Sequence, residues 1–412
     1  MTYDFVVCGA GPAGLTFAAL ACLNGFKTAI IEKQTEEAIA DPQYDGRDIA
    51  LTHKSKEILR ELGIWEKFNP ATISTIDKAI VNNGENQGKM ALSSSHAPNL
   101  AYVVSNHLIR QHAYDLARSL ADISLFFDNE IIDVERTSNK VKVALKSGES
   151  IEASLLIAAD SRFSTLRKRL GVSASMLDFG KTMVVCRMKH EFGHNNIANE
   201  CFGNGYTLAL LPLVGQVSSA VITMKPWQID ELLAKSDADF NAWVSDKLGN
   251  RFGKMEVIGE KFAYPLVGVY ANRFFAPRFA AIGDAAVGMH PVTAHGFNFG
   301  LLSIKTLMDS ILLAKKHGID MGSANVLAQY DRKHRNDTLP LYLMTAGIVG
   351  LYTNDTIQAR IARRALIEIA DKMAPIKALM MNKLVDDGNN HFSSRLPSLP
   401  KLPFLRSHNF TN

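Results

Sequence analysis

The segment Ala280–Ser303 reads AAIGDAAVGMHPVTAHGFNFGLLS. Asp284 follows a small apolar run at once, and His290, Pro291, His295, Gly296, Phe297 and Asn298 crowd the stretch after it. A buried strand has no use for that carboxylate, and a turn alone does not need so many special residues. Backbone at Gly296 and Gly300 can lie flat against a ring. A helix opening near Asn298 would aim its positive end at a ring carbonyl or a developing negative charge. His295 is the side chain best suited to direct chemistry there, and a histidine satisfied by backbone is an equal reading. Pro291 belongs to the same loop.

A second constellation opens the chain. The run Phe5–Cys8 has strand character, and Gly9, Gly11 and Gly14 then form G-x-G-x-x-G before a helix over Pro12–Asn24 and a strand over Lys27–Ile31 that ends in Glu32. Gly9 allows a tight turn, Gly11 admits a pyrophosphate to the backbone, and Gly14 lets helix and strand pack closely. The helix N-terminus offers free N–H groups to phosphate. Glu32 can accept both ribose hydroxyls. This motif alone does not choose between NAD and FAD.

Two further strand ends make the choice. Leu155–Ala159 ends at Asp160 ahead of a helix carrying Leu166 and Leu170, and Phe279–Ile282 ends at Gly283-Asp284. Read alone, Asp160-Ser161 is equally a helix cap. Three strand ends with Gly or Asp at the mouth fit a dinucleotide too long for one site. The N-terminal unit takes its ADP half, Asp284 hydrogen-bonds a ribitol chain, and the loop after it carries a flavin ring.

Composition limits the alternatives. A chain of 412 residues exceeds one core and suggests two domains. Its net charge of +4 disfavours nucleic acid as a partner. From Leu313 onward, 14 Lys and Arg face 8 Asp and Glu, so an anionic partner would meet the C-terminal end. The cysteines Cys8, Cys22, Cys186 and Cys201 form no C-x-x-C pair and read as reduced thiols in a cytoplasmic protein. Phe5–Phe26 is uncharged but is broken by glycines and Pro12, so it reads as no membrane span.

With Asp45–Trp65 (DGRDIALTHKSKEILRELGIW) and Phe262–Leu301, the three motifs resemble the single-component FAD-dependent aromatic-ring hydroxylases, class A flavoprotein monooxygenases. The resemblance runs in order from residue 1 to about 385. Within that family, YPL, HPVTAHGFNFGL and TAGIVGLYTND are similar to the ubiquinone-biosynthesis ring hydroxylases. The resemblance implies an α/β fold: a Rossmann-like FAD-binding domain of the para-hydroxybenzoate-hydroxylase type, an inserted β-sheet substrate domain and C-terminal helices. Carried over by position, Gly9, Gly11, Ala13, Gly14 and Glu32 hold the ADP half, and Arg47 contacts the cofactor near the active site. Arg110 lies beside the diphosphate and ribitol. Asp160 serves FAD and NAD(P)H, with Arg167 ending its element. Asp284 meets the ribitol, and Pro291, Gly296, Phe297 and Asn298 line the isoalloxazine. Ser161 replaces the family's usual glycine, Val287 stands where many members carry histidine, and Thr293-Ala294-His295 replaces the commoner Ala-Gly-Gln.

The chain divides accordingly. FAD-binding parts are expected at 1–77, 100–176 and 272–350, substrate-domain parts at 78–99 and 177–271, and a C-terminal helix and tail at 351–412. The segment 177–271 reads as strands with turns between, roofing the flavin and forming a pocket at the domain interface. Leu211, Tyr206 and Tyr264 are its candidate lining residues. His190 and His194 invite a metal reading, but their polar surroundings favour a surface loop, and no metal site is expected.

The apolar run Leu339–Tyr352 is too short to span a bilayer. A helix with Arg360, Arg363, Arg364, Lys372, Lys377 and Lys383 follows, then a tail with prolines at 397, 400 and 403. This region reads first as a packing helix with a loose tail, and second as a peripheral contact to the inner membrane or to a ubiquinone-enzyme complex. The implied reaction uses FAD, NADPH or NADH, and O2. Oxygen added at flavin C4a gives a hydroperoxide that an electron-rich, prenylated ring attacks. The alternatives are a hydroxylase of a small soluble phenol and a non-catalytic carrier of prenyl lipid on the same fold.

Overall fold

Residues 2–83, 89–93, 97–291 and 295–353 are described by the structure, a computed structural model. Its first sheet is built on a parallel core. Thr2–Cys8 lies between Ser150–Ala158 and Thr28–Ile31, with Phe279–Ala281 and Ile123–Phe126 outside them. Phe5, Val6 and Val7 are buried in succession, as a strand covered on both faces requires. Register aligns the strand ends: Cys8 pairs with Ala158 and with Ile31, and Ala158 pairs with Ala281. Gly9, Glu32, Asp160 and Gly283 therefore leave one carboxyl edge, where open α/β sheets bind ligands.

The second sheet has eight strands and is antiparallel apart from the pairing of Ile197–Phe202 with Lys78–Asn83. It takes Lys78–Asn83, Lys89–Ser93, Ala174–His190, Ile197–Phe202, Thr207–Pro212, Val217–Met224 and Met255–Ala271, with Val287–Gly288 at one edge. Thus Ala174–His190 starts before the expected boundary at 177, and one short strand comes from beyond 271.

Alternation gives this sheet two different faces. Leu208, Leu210, Val184, Cys186 and Ile222 pack under the helices Pro226–Leu233 and Asp237–Lys247. Leu211 and Ala198 pack on the opposite face against Ala50, Ile76 and Val103. Those three belong to a small third sheet, Asp48–Leu51, Ala101–Ser105 and Ser74–Ile76, which was not expected from sequence.

Two long helices complete the described chain. Gly296–Lys316 is long and apolar enough to cross a membrane, yet its most apolar window is 67% buried inside the protein, as a core helix is. Ala324–Thr353 absorbs the apolar run from Leu339, with Pro340 inside it. It docks through Tyr270 Oη and Thr338 Oγ1 at 2.9 Å and through a 4.8 Å contact between the Tyr270 and Tyr342 rings. The basic helix expected after it and the proline-bearing tail fall outside the described residues.

Candidate functional site

The carboxyl edge of the parallel sheet begins with a turn that tolerates no side chain at two of its glycines. Gly9 has φ +107°, and a Cβ there would lie 2.6 Å from the Ala159 carbonyl oxygen. A Cβ on Gly14 would lie 2.0 Å from the Gly9 oxygen. Gly11 differs, because a Cβ there meets nothing within 4 Å. It precedes the helix Pro12–Leu23, whose N-terminus has no side-chain cap. Uncapped N–H groups beside an open glycine suit a diphosphate. Ala13 closes the first helical turn onto the third strand end, its methyl 2.9 Å from where a Gly283 Cβ would be. Glu32 accepts hydrogen bonds from the Ala10 N–H at 2.7 Å and the Gln34 N–H at 2.9 Å. These bonds fix the buried carboxylate and leave lone pairs for ribose hydroxyls.

At the next strand end, Asp160 is half-buried. Burial raises its pKa, against hydrogen bonds and the Arg167 charge that lower it. Its Oδ1 makes no hydrogen bond to a described residue. Ser161 takes φ +145°, a region that L residues rarely adopt, so the family's glycine is replaced without a change to ordinary backbone. Arg162 then reaches Asp284 Oδ2 at 3.1 Å and the Val267 carbonyl at 3.2 Å. The fully buried Arg167 donates to the Ala285 carbonyl at 2.6 Å. The second and third strand ends are therefore tied by two arginines. Asp284 does not wait as a free carboxylate: Arg162 holds one of its oxygens, and the other keeps its acceptor capacity.

The ring end is built on the start of Gly296–Lys316, where, among the described residues, no side chain caps the helix and a Cβ on Gly296 would meet nothing within 4 Å. Asn298 corrects one expectation. Its Oδ1 accepts from the Thr52 N–H at 3.0 Å and its Nδ2 donates to the Ala50 carbonyl at 2.9 Å, so its side chain braces the small sheet. Only its backbone and helix position remain for a ring. Phe297 and Pro291 are half-buried, and His295 is buried with its ring 5.8 Å from Phe299. Burial lowers the His290 pKa to about 4, and its ring meets Phe179 edge-on at 4.8 Å. Val287 lies in the core. Thr293 and Ala294 lie outside the described residues.

A charged cluster closes the side of the cleft. Arg47 binds Asp45 through Nε at 3.0 Å and lies 5.6 Å from the Tyr264 ring centre. Burial opposes the Arg47 charge, but the hydrogen bond and charge of Asp45 hold its pKa above the ordinary value. Tyr264 donates to the Asp45 carbonyl at 2.7 Å, and Asn106 donates to the Asp45 carboxylate at 2.8 Å. Arg110 makes no hydrogen bond or ion pair with any described residue, while burial and the Arg47 charge lower its pKa against Asp45 and Glu32. A half-buried guanidinium with no anion of its own suits a diphosphate.

These features fit an FAD: an open glycine turn, an oriented carboxylate for ribose, an unpaired guanidinium, Asp284, and a flat helix start.

The three candidate lining residues of the roof do not share one face. Leu211 and Tyr264 are on the face toward the cofactor domain. Tyr206 is not. Its ring packs on Gly203 and lies 5.6 Å from Trp243, on the helix-covered face, because Leu208 and Leu210 next to it point that way. His190 ends a strand and His194 lies in the loop after it, but both side chains are buried. His190 pairs with the Phe192 carbonyl and Ser218, and His194 with the Leu213 carbonyl and the Asn196 N–H. Among the described residues no His, Cys, Asp and Glu group could hold a metal.

Sequence reasoning missed Arg162, whose partner is remote in the chain. It also missed Arg187, which joins Asp48 at 2.8 Å and Ser105 at 2.6 Å and couples the large sheet to the small one. Its signal in the chain was a cation directly after the apolar run Met183–Cys186.

Comparison with known proteins agrees with this geometry. The family model described as FAD binding domain matches residues 2–336. Ubiquinone hydroxylase UbiM of Neisseria meningitidis is 41% identical over 387 residues, covering 92% of this chain and 84% of that protein. Ubiquinone hydroxylase UbiL of Rhodospirillum rubrum is 30% identical, covering 92% and 88%. Among solved structures, p-nitrophenol 4-monooxygenase PnpA of Pseudomonas putida superposes with a TM-score of 0.73 at 17% identity, covering 93% and 98%. At that identity the likeness shows the fold.

Proposed function

This chain belongs to the FAD-binding monooxygenases, and from that premise we propose that it hydroxylates the ring of a polyprenylated ubiquinone precursor, consuming NAD(P)H and O2. The observation that carries the reading is the shared carboxyl edge. It sets Glu32, Gly11, Asp160 and Asp284 at the same ends of four neighbouring strands, with the helix from Gly296 following Asp284 in the chain. The names of the ubiquinone hydroxylases at 41% and 30% identity support the substrate class.

A bound FAD would supply the redox chemistry by which NAD(P)H and O2 hydroxylate the ring. The chain's residues bind and orient. Gly11 and the first helix hold the diphosphate with Arg110, Glu32 takes the ribose, and Asp284, steadied by Arg162, takes the ribitol. The helix start at Gly296 would favour negative charge on a bound flavin ring. The sheet face bearing Leu211 and Tyr264 excludes water and orients the substrate, where a wet site would release hydrogen peroxide instead.

The test is the purified protein. It is expected to be yellow, with NAD(P)H oxidation stimulated by a prenylated phenol and one oxygen recovered in the product. A colourless, folded protein with no affinity for added FAD would overturn the reading. Equal or better turnover of a short-chain phenol would point to a small soluble substrate. We place the protein in the cytoplasm, with the basic C-terminal region as a reversible contact to the inner membrane, each engaged basic residue contributing about 1 kcal/mol. Flotation with anionic liposomes should weaken in a chain ending at Asp387, and unchanged flotation removes the tail from that role.

A further inference from the structure

Glu200 stands out on the sheet that roofs the site. It lies in Ile197–Phe202, and strand pairing places Val81 on one side of it and Ala209 on the other. Beyond these come Met90 and Val221, so the row is apolar apart from this one carboxyl. Among the described residues Glu200 makes no hydrogen bond or ion pair. A carboxyl in such a row contributes nothing to strand packing, and desolvation without a partner is costly.

Its face is decided by alternation. Ala198, two residues earlier, packs on the small sheet with Leu211 and Ala50. Ala50 is the residue whose carbonyl accepts from Asn298 at the ring loop. On the other side, the neighbouring row runs from Phe202 through Thr207, Thr223 and Met183 to Tyr264, which touches Arg47 and Asp45. The Glu200 row therefore shares its face with the Ala198 row, which packs on the small sheet beside it, and with a row that reaches Arg47 and Asp45 four strands away at Tyr264. Cys201, next in the chain, is on the opposite face beneath the helices.

From this register the geometry points to Glu200 as a specificity-determining residue: its carboxyl hydrogen-bonds the free hydroxyl of the aromatic substrate. This rests on the proposed hydroxylase reading. Burial pushes the carboxyl up to about 8, although part of the residue's surface still reaches solvent. In its protonated state the group can donate as well as accept. A partner left waiting in an apolar row rejects an analogue that cannot complete the bond. It also turns the ring so that its hydroxyl points along the sheet.

The test uses the FAD-loaded, full-length protein and two probes, a short prenylphenol and its methyl ether. Binding is read from the change in flavin absorbance, and FAD content and thermal stability confirm folding. Wild type should favour the phenol by about tenfold or more, the worth of one hydrogen bond to a charged or strongly polar partner. Glu200→Leu should abolish the preference, and Glu200→Gln, which keeps the shape and some hydrogen bonding, should retain part of it. No preference in wild type, or full preference in both variants, overturns the inference. Preference lost in the variants while wild type forms no hydroxylated product would support the inference and sink the hydroxylase reading instead.

Discussion

Replacing Ser161 with glycine should make the protein more stable, although it removes a side chain. Ser161 sits at φ +145°, where a Cβ is strained and glycine is not. Such a residue costs about 1–3 kcal/mol. Glycine returns about 0.4–1 kcal/mol of that through the greater freedom of the unfolded chain. The net gain lies at about 0 to 2.6 kcal/mol, with a middle value of about 1.3. Unfolding entropy of roughly 2.1 cal/mol/K per residue over 412 residues converts this to a rise in Tm of about 1.5 °C if the chain melts as one unit. Calorimetry with FAD held at saturation is the assay, because ligand binding itself shifts Tm. Ser161→Ala keeps the Cβ and removes the hydroxyl, so it should show none of the gain. A lower Tm for Ser161→Gly, or an equal gain for Ser161→Ala, would refute the backbone argument.

Three further outcomes are expected. Asp284→Ala removes a charge-assisted ribitol bond worth about 1.5–3 kcal/mol and should weaken FAD binding by about 10- to 150-fold in equilibrium titration. Leu211→Asn on the roof should raise hydrogen peroxide released per NAD(P)H consumed more than it slows flavin reduction, and a parallel fall of peroxide and product would show that Leu211 does not shield the site. His334 is buried, neither ring nitrogen has a hydrogen-bond partner among the described residues, and burial lowers its pKa from 6.5 to about 3. The unfolded chain takes up that proton first, so stability is present above pH 6.5 and falls as pH drops toward 3, by up to about 5 kcal/mol; His334→Leu should flatten this acid limb of Tm against pH.

Much of the site was legible in the chain because its parts are local. Gly9, Gly11, Gly14 and Glu32 belong to one strand–turn–helix–strand unit, and each residue's role follows from the turn, helix end or strand end that it occupies. The same holds for Asp284 and the glycines after it. Their chemistry is set by neighbours within a few residues, so spacing reveals it, and the aligned strand ends then follow from a parallel sheet.

What only the tertiary structure decided depends on partners far apart in sequence. Asn298 looked like a ring-lining residue, but its amide spans to Ala50 and Thr52. Tyr206 looked like a pocket residue, but strand register put it with Leu208 and Leu210 under the helices. Arg162 gained its meaning from Asp284, 122 residues away, and the exposure of His190 and His194 was misjudged because Ser218 and the Leu213 carbonyl, which help to satisfy them, come from other segments. A one-residue shift in register exchanges the two faces of a strand. Which face Glu200 shares with Leu211 and Tyr264 is therefore settled by pairing across five strands, a quantity no local window of sequence contains.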